Sequence, residues 1–391
     1  MLTSSHIQFI KTHLQEDVGK LLFKGIPFDD VTSSFIAQQI SARQRMHKKL
    51  PSWVANEQIV FPAKLNLAQS SSEKTAHYKA QLISNAKVAD LTGGFGIDTF
   101  ALSKTNTHLV HVEKDEMLSQ IAQHNASVFQ LKNISFRNET AEHFLAHTKN
   151  VDWIYMDPSR RDEAKNRVFL FEECQPDILA LLPILKSKCQ KVLLKTSPLI
   201  DLTYGIEALQ YVQNIHVVAV ENEVKELLWE LNFSIKNVKP SIKTIQFKKE
   251  KSVLFEIEND VGQTEVGYSV PLTYLYEPNA ALMKVGKFNT LAEAFQLKKL
   301  HPNSHLFTSK KYEANFPGRI FAIDFVEAYK PKLLKKHLKG KKMNISTRNF
   351  PIVAKDLIKL LNTKDGGKEY AFFTTDINDQ KIMISCLKET V

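Results

Sequence analysis

Short apolar runs recur through the middle of the chain, and helical stretches separate most of them. Strands that alternate with helices in this way form a mainly parallel, doubly wound sheet. We therefore predict an α/β fold for this region. The predicted strands are VADL (88–91), HLVHV (108–112), ISF (134–136), WIYM (153–156), KVLLK (191–195) and IHVVAV (215–220).

Helical periodicity dominates the part of the chain before the first of these runs. The opening residues repeat apolar side chains at helical spacing, and the pattern stays mostly helical to about residue 66. SSSEKTAHYKAQLI then predicts a further helix, with Ser70–Ser72 as candidate caps and Glu73 in its first turn. We expect an N-terminal helical region over residues 1–66.

The pattern becomes less regular after Glu221. KELLWEL fits either a helix or a strand, whereas TIQFKKEKSVLFEIE predicts two strands around a lysine-rich turn. The segment VGQTEVGYSVP is a plausible boundary, and shorter α+β units follow it. The last of these is predicted to contain helix VAKDLIKLL and strand YAFFTT. Domain boundaries are accordingly expected near residues 262 and 320.

Positive charge is concentrated in the C-terminal part of the chain. The formal net charge is +10, and residues 231–391 alone carry +11. The densest run extends from Lys330 to Arg348 and contains no acidic residue. A solvated helix face would explain it, but so would a surface that contacts RNA phosphates. We favour the second reading, with Lys335, Lys336, Lys341, Lys342 and Arg348 as candidate RNA-binding residues.

The composition limits the cellular location and the kinds of partner that we expect for the protein. No apolar run reaches the roughly 20 residues that cross a bilayer, and no signal-peptide core is apparent. The three cysteines match no zinc spacing and no disulfide framework. We expect a cytoplasmic protein without a metal or a membrane partner.

The most informative segment is AKVADLTGGFGIDTFALSK, which predicts a strand, a glycine-rich turn and a helix. The glycines allow the backbone to approach a ligand, and the helix that starts near Gly96 offers free N–H groups. The next strand ends at Glu113, where a carboxylate can accept both hydroxyls of a ribose. A glycine turn that binds nothing is the bland alternative.

Two cofactor classes fit this loop. A dinucleotide fingerprint would need a third glycine where Asp98 stands, and an acid there would repel a pyrophosphate. S-adenosylmethionine lacks phosphate and carries an ammonium group, which Asp90 or Asp98 could bind. The loop therefore favours S-adenosylmethionine. After the third strand, Glu139 or Thr140 could contact the adenine edge, or Thr140 could simply cap a helix.

The fourth predicted strand ends in Asp157-Pro158, at an edge where α/β sheets bind ligands. Asp157 could orient an acceptor amine or take its proton. Arg160 and Arg161 could clamp a phosphate or carboxylate, or pair with nearby acids. Carbon methylation of pyrimidines usually needs a cysteine nucleophile, and Ser197-Pro198 stands where such enzymes present Cys-Pro. The candidate catalytic residues are Asp157, Pro158 and Arg160, without a cysteine.

Together, DLTGGFGIDTFALS, HVEKDE, DWIYMDPSRRDEAKNR and VLLKTSPLIDL resemble class I, Rossmann-like methyltransferases. SSSEKTAHYKA, ENEVKELL and STRNFP narrow the resemblance to bacterial methyltransferases with a C-terminal THUMP-like domain. The resemblance implies four parts: a helical region (1–66), an S-adenosylmethionine-binding domain (67–262), a ferredoxin-like unit (263–320) and a basic THUMP-like domain (321–391). By the resemblance, Asp90, Gly93, Gly94 and Gly96 line the cofactor, Glu113 holds the ribose, and Asp157 and Pro158 match the acceptor-side motif. The full set of candidate cofactor-binding residues is Asp90, Thr92, Gly93, Gly94, Gly96, Asp98, Glu113, Thr140 and Asp157.

The sequence departs from one methyltransferase pattern. Amine methyltransferases often follow Asn/Asp-Pro with Pro and an aromatic residue, whereas this chain has Ser159 and Arg160. We expect an S-adenosylmethionine-dependent methyltransferase that acts on structured tRNA or rRNA and not on DNA. The alternatives are a methyltransferase for a small molecule or a protein, and a non-catalytic RNA-binding protein that retains the fold.

Overall fold

The computed structural model describes residues 2–160, 170–235, 239–248, 252–257 and 266–389, with the side chain of Arg160 left out. The chain divides into two compact units. The first comprises residues 1–215 and 226–238, and the second comprises residues 216–225 and 239–391.

Helices fill the N-terminal part of the first unit. The first five pack around two apolar clusters, one centred on Ile36 and Ile40 and the other on Trp53 and Phe100. The sixth helix begins after Ser72, which caps it by accepting a hydrogen bond from the Thr75 backbone, and Glu73 lies in its first turn as predicted. These helices are α1 (Ser4–Thr12), α2 (Val18–Lys24), α3 (Ser33–Met46), α4 (Pro51–Ala55), α5 (Lys64–Gln69) and α6 (Glu73–Leu82).

The predicted alternation of strands and helices then follows, and all six predicted strands are present. In chain order the elements are β1 (Lys87–Asp90), α7 (Ile97–Ser103), β2 (His108–Val112), α8 (Glu116–Val128), β3 (Ile134–Arg137), α9 (Ala141–His147), β4 (Val151–Met156), β5 (Ser159–Arg160), a 3-10 turn (Phe171–Glu173), β6 (Cys174–Gln175), α10 (Ile178–Lys188), β7 (Cys189–Thr196), α11 (Leu202–Leu209), β8 (Val212–Val220) and β9 (Glu223–Asn232).

The sheet of the first unit has the order β9-β7-β4-β1-β2-β3. Neighbouring strands from β7 to β3 are parallel, and β9 is antiparallel to β7. The KELLWEL segment is thus a strand rather than a helix. Because the parallel strands end at one edge, the loops after β1, β2, β4 and β7 converge there. The structure confirms the Rossmann-like α/β class.

The second unit contains a long mixed sheet. In chain order, the helices and strands of this unit are β10 (Ser241–Phe247), β11 (Ser252–Ile257), β12 (Tyr274–Pro278), α12 (Ala280–Val285), α13 (Phe288–Ala294), β13 (Lys298–Lys299), β14 (Phe307–Ser309), β15 (Gly318–Ala328), α14 (Pro331–Leu338), β16 (Lys342–Arg348), α15 (Ala354–Leu361), β17 (Lys364–Asp365), β18 (Glu369–Thr375) and β19 (Lys381–Lys388).

The two strands predicted around the lysine-rich turn are β10 and β11, which pair antiparallel. The long sheet has the order β13-β14-β12-β15-β19-β18-β16-β17. Helices α14 and α15 bury Leu334, Leu338, Leu357 and Leu361 in one apolar cluster. In the described residues, no helix is long and apolar enough to cross a membrane.

Candidate active site

The glycine loop joins β1 to α7, and its three glycines are needed either for steric room or for a positive φ angle. A Cβ on Gly93 would lie 2.4 Å from the ring of buried His111, so only glycine fits. Gly94 and Gly96 have φ values of +54° and +98°, which side chains rarely adopt. A Cβ on Gly94 would meet nothing within 4 Å, so the backbone borders open space at this residue.

Glu113 follows β2 and is held beside this open space. Its Oε2 accepts a hydrogen bond from Gly94 N at 2.8 Å, and its Oε1 accepts one from Asp115 N at 2.8 Å. Each carboxylate oxygen keeps a lone pair that can accept a further donor. This arrangement fits a ribose with two neighbouring hydroxyls next to the glycine loop.

Asp90 lies beneath the loop and is only 1% exposed. Thr92 N and Thr99 Oγ1 donate to its two oxygens at 3.0 and 2.6 Å. Burial raises the pKa of Asp90 to about 7. Its contacts give Asp90 the role of shaping the turn from below.

Thr92 connects the glycine loop to the loop after β4. Its Oγ1 accepts a hydrogen bond from Asp157 N at 2.6 Å and lies 3.4 Å from Asp90 Oδ1. The predicted cofactor loop and the predicted acceptor loop are therefore adjacent, and their relative position is fixed by one hydroxyl.

Asp98 is buried in α7 and belongs to a set of charged side chains that we call the buried charge cluster: Lys79, Asp98, Asp157, Lys195 and Glu226. Lys79 Nζ lies 2.9 Å from Asp98 Oδ1 and 3.2 Å from Glu226 Oε2. Ser71 Oγ and Tyr155 OH both donate to Asp98 Oδ2 at 2.8 Å. Asp98 is thus committed to partners within the protein.

Lys195 is the last but one residue of β7, and its Nζ forms a close ion pair with Asp157 Oδ2. Burial acts to lower the pKa of Lys195, but the carboxylates of Asp157, Glu226 and Asp98 outweigh burial and raise that pKa above its ordinary value. Lys195 is therefore an ammonium ion. Burial raises the pKa of Glu226 against the effect of both lysines.

The remaining predicted residues of this unit have simpler surroundings. Thr140 caps α9 by accepting a hydrogen bond from His143 N, so its side chain has the structural role that the sequence left open. Pro158 follows Asp157, and the backbone of Ser159–Arg160 pairs with Cys174–Gln175. The side chain of Arg160 and the whole of Arg161 lie outside the described residues.

The cysteines are buried. Burial raises the pKa values of Cys189 and Cys386 to about 12, which disfavours their thiolate forms. Cys189 opens β7, at the opposite end of that strand from Lys195. The expectation of chemistry without a cysteine nucleophile is compatible with this placement.

The predicted basic run occupies α14, the following turn and β16 in the second unit. Its lysines are all exposed, and within the described part of the chain none has an ion-pair partner: Lys330, Lys332, Lys335, Lys336, Lys339, Lys341 and Lys342. Arg348 differs from them. Its guanidinium lies 2.9 Å from buried Glu277, which also pairs with Arg319.

Comparisons with known proteins identify the chain. Residues 274–317 match a family model described as a ferredoxin-like domain, and residues 318–388 match one described as THUMP domain-like. A crystal structure of a protein from Porphyromonas gingivalis W83, described as a "putative methyltransferase", is 32% identical to the chain. The match covers 99% of this chain and 98% of that one, with a TM-score of 0.88. The chain belongs to this family, the class I methyltransferases with a C-terminal THUMP-like domain.

More distant solved structures cover only part of the chain. An Escherichia coli protein described as "Putative methyltransferase yhhF" is 19% identical over 41% of this chain and 84% of its own, with a TM-score of 0.31. The Thermus thermophilus 16S rRNA N2 G1207 methyltransferase is 14% identical over 44% of this chain and 43% of its own, with a TM-score of 0.31. No curated protein matches the chain.

Sequence reasoning missed most of the side chains that surround Asp98 and Asp157. Lys79, Tyr155, Lys195 and Glu226 were not singled out, although they surround Asp98 and Asp157. The available signal was a charged residue inside an apolar strand, as in VLLKTSP and ELLWEL. Such a residue is buried by its strand and must find a partner there.

Proposed function

We propose that this methyltransferase uses S-adenosylmethionine and that its acceptor is RNA. The observation that carries the cofactor assignment is the Glu113 carboxylate, fixed beside the open face of Gly94 by two backbone N–H groups. The same loop is tied through Thr92 to Asp157. A ribose-binding acid and an acceptor-side acid therefore stand on neighbouring loops.

The residues present fit the cofactor in a particular way. Glu113 would accept the ribose hydroxyls, and Gly94 leaves room for the ligand beside the loop. Asp90 and Asp98 are nearly fully buried and have partners within the protein, so we assign them to supporting this loop rather than to contacting the ligand. When bound, S-adenosylmethionine supplies an electrophilic methyl group.

The protein's own contribution is mainly position and charge. Asp157 is held by its backbone N–H to Thr92 and by its carboxylate to Lys195. A residue that is held both by its backbone and by its carboxylate can orient an acceptor toward the methyl group without reorganising. Such positioning can supply much of the rate acceleration.

RNA is supported as the acceptor by the exposed lysines of the THUMP-like domain. Seven lysines between residues 330 and 342 face solvent without an acidic partner among the described residues. Like charges kept together at a surface are suited to a polyanion. Arg348 is engaged by Glu277, so the proposed contact set consists of the lysines.

Calorimetric titration tests the cofactor assignment. Wild-type protein is titrated with S-adenosylmethionine, with its demethylated product and with NAD. We expect saturable binding of the two methionine-derived ligands and none of NAD. Binding of NAD alone would overturn the assignment.

A further inference from the structure

The buried charge cluster is costly for the fold. Its members come from separate elements: α6, α7, the loop after β4, the end of β7 and strand β9. Taking such charges out of water is costly, and apolar residues of similar size often stabilise a protein better. A cluster of this kind at the ends of strands is therefore a candidate for a chemical role.

The cluster has an outer and an inner layer. The side chains of Asp157 and Lys195 are 29% and 11% exposed, whereas those of Lys79 and Glu226 are 0% and 3% exposed. An acceptor can therefore touch Asp157 and Lys195. Lys79 and Glu226 lie behind them, and Glu226 and Asp98 act on Lys195 through their charge.

The outer pair combines a proton acceptor with a fixed cation. A ring nitrogen of a base has a lone pair in the ring plane, and the conjugated lone pair of an exocyclic amino group is freed by hydrogen bonds to its N–H groups, so both need orientation more than deprotonation. An aliphatic hydroxyl is a weak nucleophile, and its oxygen becomes a good one only as the proton moves away and negative charge builds on it ahead of the bond to carbon. A carboxylate can accept the hydroxyl proton, and an ammonium beside it can stabilise the negative charge on the oxygen.

The residues after Asp157 agree with this distinction. Pro158 is followed by Ser159 and Arg160, so the aromatic residue that would stack on a target base is absent from this position of the sequence. Positions 158–160 thus supply no aromatic ring on which a base could stack, while Asp157 and the neighbouring Lys195 are suited to an oxygen.

We propose, on the basis of the methyltransferase function above, that the acceptor is a ribose hydroxyl of RNA, with Asp157 and Lys195 as catalytic residues. The hydroxyl oxygen forms the new bond to the methyl carbon, and the methyl–sulfur bond breaks with its electron pair passing to sulfur. The hydroxyl proton passes to the Asp157 carboxylate. Lys195 donates a hydrogen bond to the oxygen as charge develops, and Lys79 with Glu226 keeps Lys195 and Asp157 in place as positioning residues.

The position of the transferred methyl group tests the proposal. Wild-type protein is incubated with methyl-labelled S-adenosylmethionine and total RNA from cells that lack this protein. We expect label in ribose-methylated nucleosides and in dinucleotides that resist alkali, because alkaline cleavage needs the free 2′ hydroxyl. Label in base-methylated nucleosides would overturn the proposal.

Cofactor binding separates this proposal from the proposed function. If the protein binds S-adenosylmethionine by calorimetry but transfers no label to RNA, the ribose acceptor is wrong while the cofactor assignment survives. If it binds no S-adenosylmethionine, the proposed function fails, and the ribose proposal, which rests on it, fails with it.

Variants of Lys195 test the catalytic roles. Lys195→Met should lower kcat about 10²- to 10³-fold, in the range of acid–base contributions, while affinity for the demethylated product changes less than about threefold. The matched control is Lys191→Met, on the same strand and stacked on Trp153 outside the cluster. If Lys195→Met is unstable, Lys195→Arg keeps the charge and should still lower kcat. An unchanged kcat in a folded Lys195 variant would overturn the assignment.

The inner layer is tested by removing both charges together. The double variant Lys79→Met/Glu226→Leu removes the two innermost charges and leaves Asp98 with its hydrogen bonds from Ser71 and Tyr155 and with the nearby charge of Lys195. We expect a folded protein whose kcat is about tenfold lower and whose KM for RNA is unchanged. Full kcat in this double variant would show that Lys79 and Glu226 do not position the catalytic pair.

Discussion

The two units of this protein use charge in opposite ways. In the first unit, two lysines and three acids form ion pairs with one another, and four of these five side chains are nearly fully buried. In the second, seven lysines stand exposed on α14, the turn after it and β16 without acidic partners in the described residues. Buried charge is costly to keep and sensitive to the loss of a partner, whereas exposed charge is nearly neutral for folding and available to a ligand. In the function proposed above, the first set serves chemistry and the second set binds the substrate.

The largest expected effect comes from breaking one buried pair. Lys79→Met leaves Asp98 and Glu226 buried without their shared cation, and removal of one partner of a buried pair typically costs about 3–5 kcal/mol. Urea unfolding measures this loss. The matched control is Lys332→Met in the exposed run, which should change the free energy of unfolding by less than about 0.5 kcal/mol. Equal effects of the two substitutions would erase the distinction between the units.

A buried histidine, His111, provides a second test of the contrast between buried and exposed charge. Burial lowers the pKa of His111 from 6.5 to about 4, so the folded protein disfavours its charged form. The contribution of neutral His111 to the free energy of unfolding is complete above pH 6.5. This contribution is lost as the pH falls from 6.5 through 4, and the loss is about 3 kcal/mol for a pKa shift of this size. His111→Gln should abolish this part of the pH dependence of unfolding.

The control for His111 is Gln8→Ala, a substitution at an exposed position of α1 that carries no titratable group. It should leave the pH dependence between pH 4 and 6.5 as in the wild type. Asp90, whose pKa burial raises to about 7, titrates in all three proteins and cancels in the differences. A parallel pH dependence in wild type and His111→Gln would show that His111 is not held neutral.

Glu113 tests whether an acid at the edge of the sheet serves a ligand. Glu113→Ala should weaken binding of S-adenosylmethionine by about 1–3 kcal/mol, the value of a hydrogen bond to a charged group. Glu116→Ala, three residues later on the exposed side of α8, is the control and should bind as the wild type does. Calorimetry measures both. Equal affinity in the two variants would remove Glu113 from the site.

The smallest effect per residue is expected when the exposed lysines are substituted and RNA binding is measured. The variant is Lys335, Lys336, Lys341 and Lys342 changed together to Gln. Filter binding of structured RNA across a salt series should show a flatter slope, by about 0.7 for each single-strand phosphate that the variant no longer neutralises. Cofactor binding should be unchanged.

The control for the lysine variant is a matched set of exposed lysines in the first unit, changed to Gln in the same way: Lys20, Lys48, Lys104 and Lys132. This variant should keep the wild-type slope. Identical slopes for both variants and the wild type would assign the basic run to a solvated surface.

The fold was largely predictable because its signals are local. Apolar runs placed β1, β2, β3, β4, β7 and β8, and a serine followed by Glu73 placed the start of α6. The glycine loop was equally visible, since Gly93 to Gly96 are adjacent in sequence. KELLWEL stayed ambiguous because a fully buried strand shows no alternation, and only its pairing with β7 makes it β9.

The site was only half predictable, for a physical reason. Asp157 and Glu113 stand at strand ends, where position alone suggests a role. Lys79, Lys195 and Glu226 come from three distant segments, and only folding brings their charges together. The same folding commits Asp98 to Lys79 and Arg348 to Glu277, which no local pattern could reveal.

Steady-state kinetics of methyl transfer to RNA tests the division of labour between the two units most directly. The measurement compares Lys195→Met and the four-lysine variant on total RNA from cells that lack this protein. We expect Lys195→Met to lower kcat with KM for RNA unchanged, and the four-lysine variant to raise KM with kcat unchanged. The opposite assignment, or the same parameter changing in both variants, would contradict it.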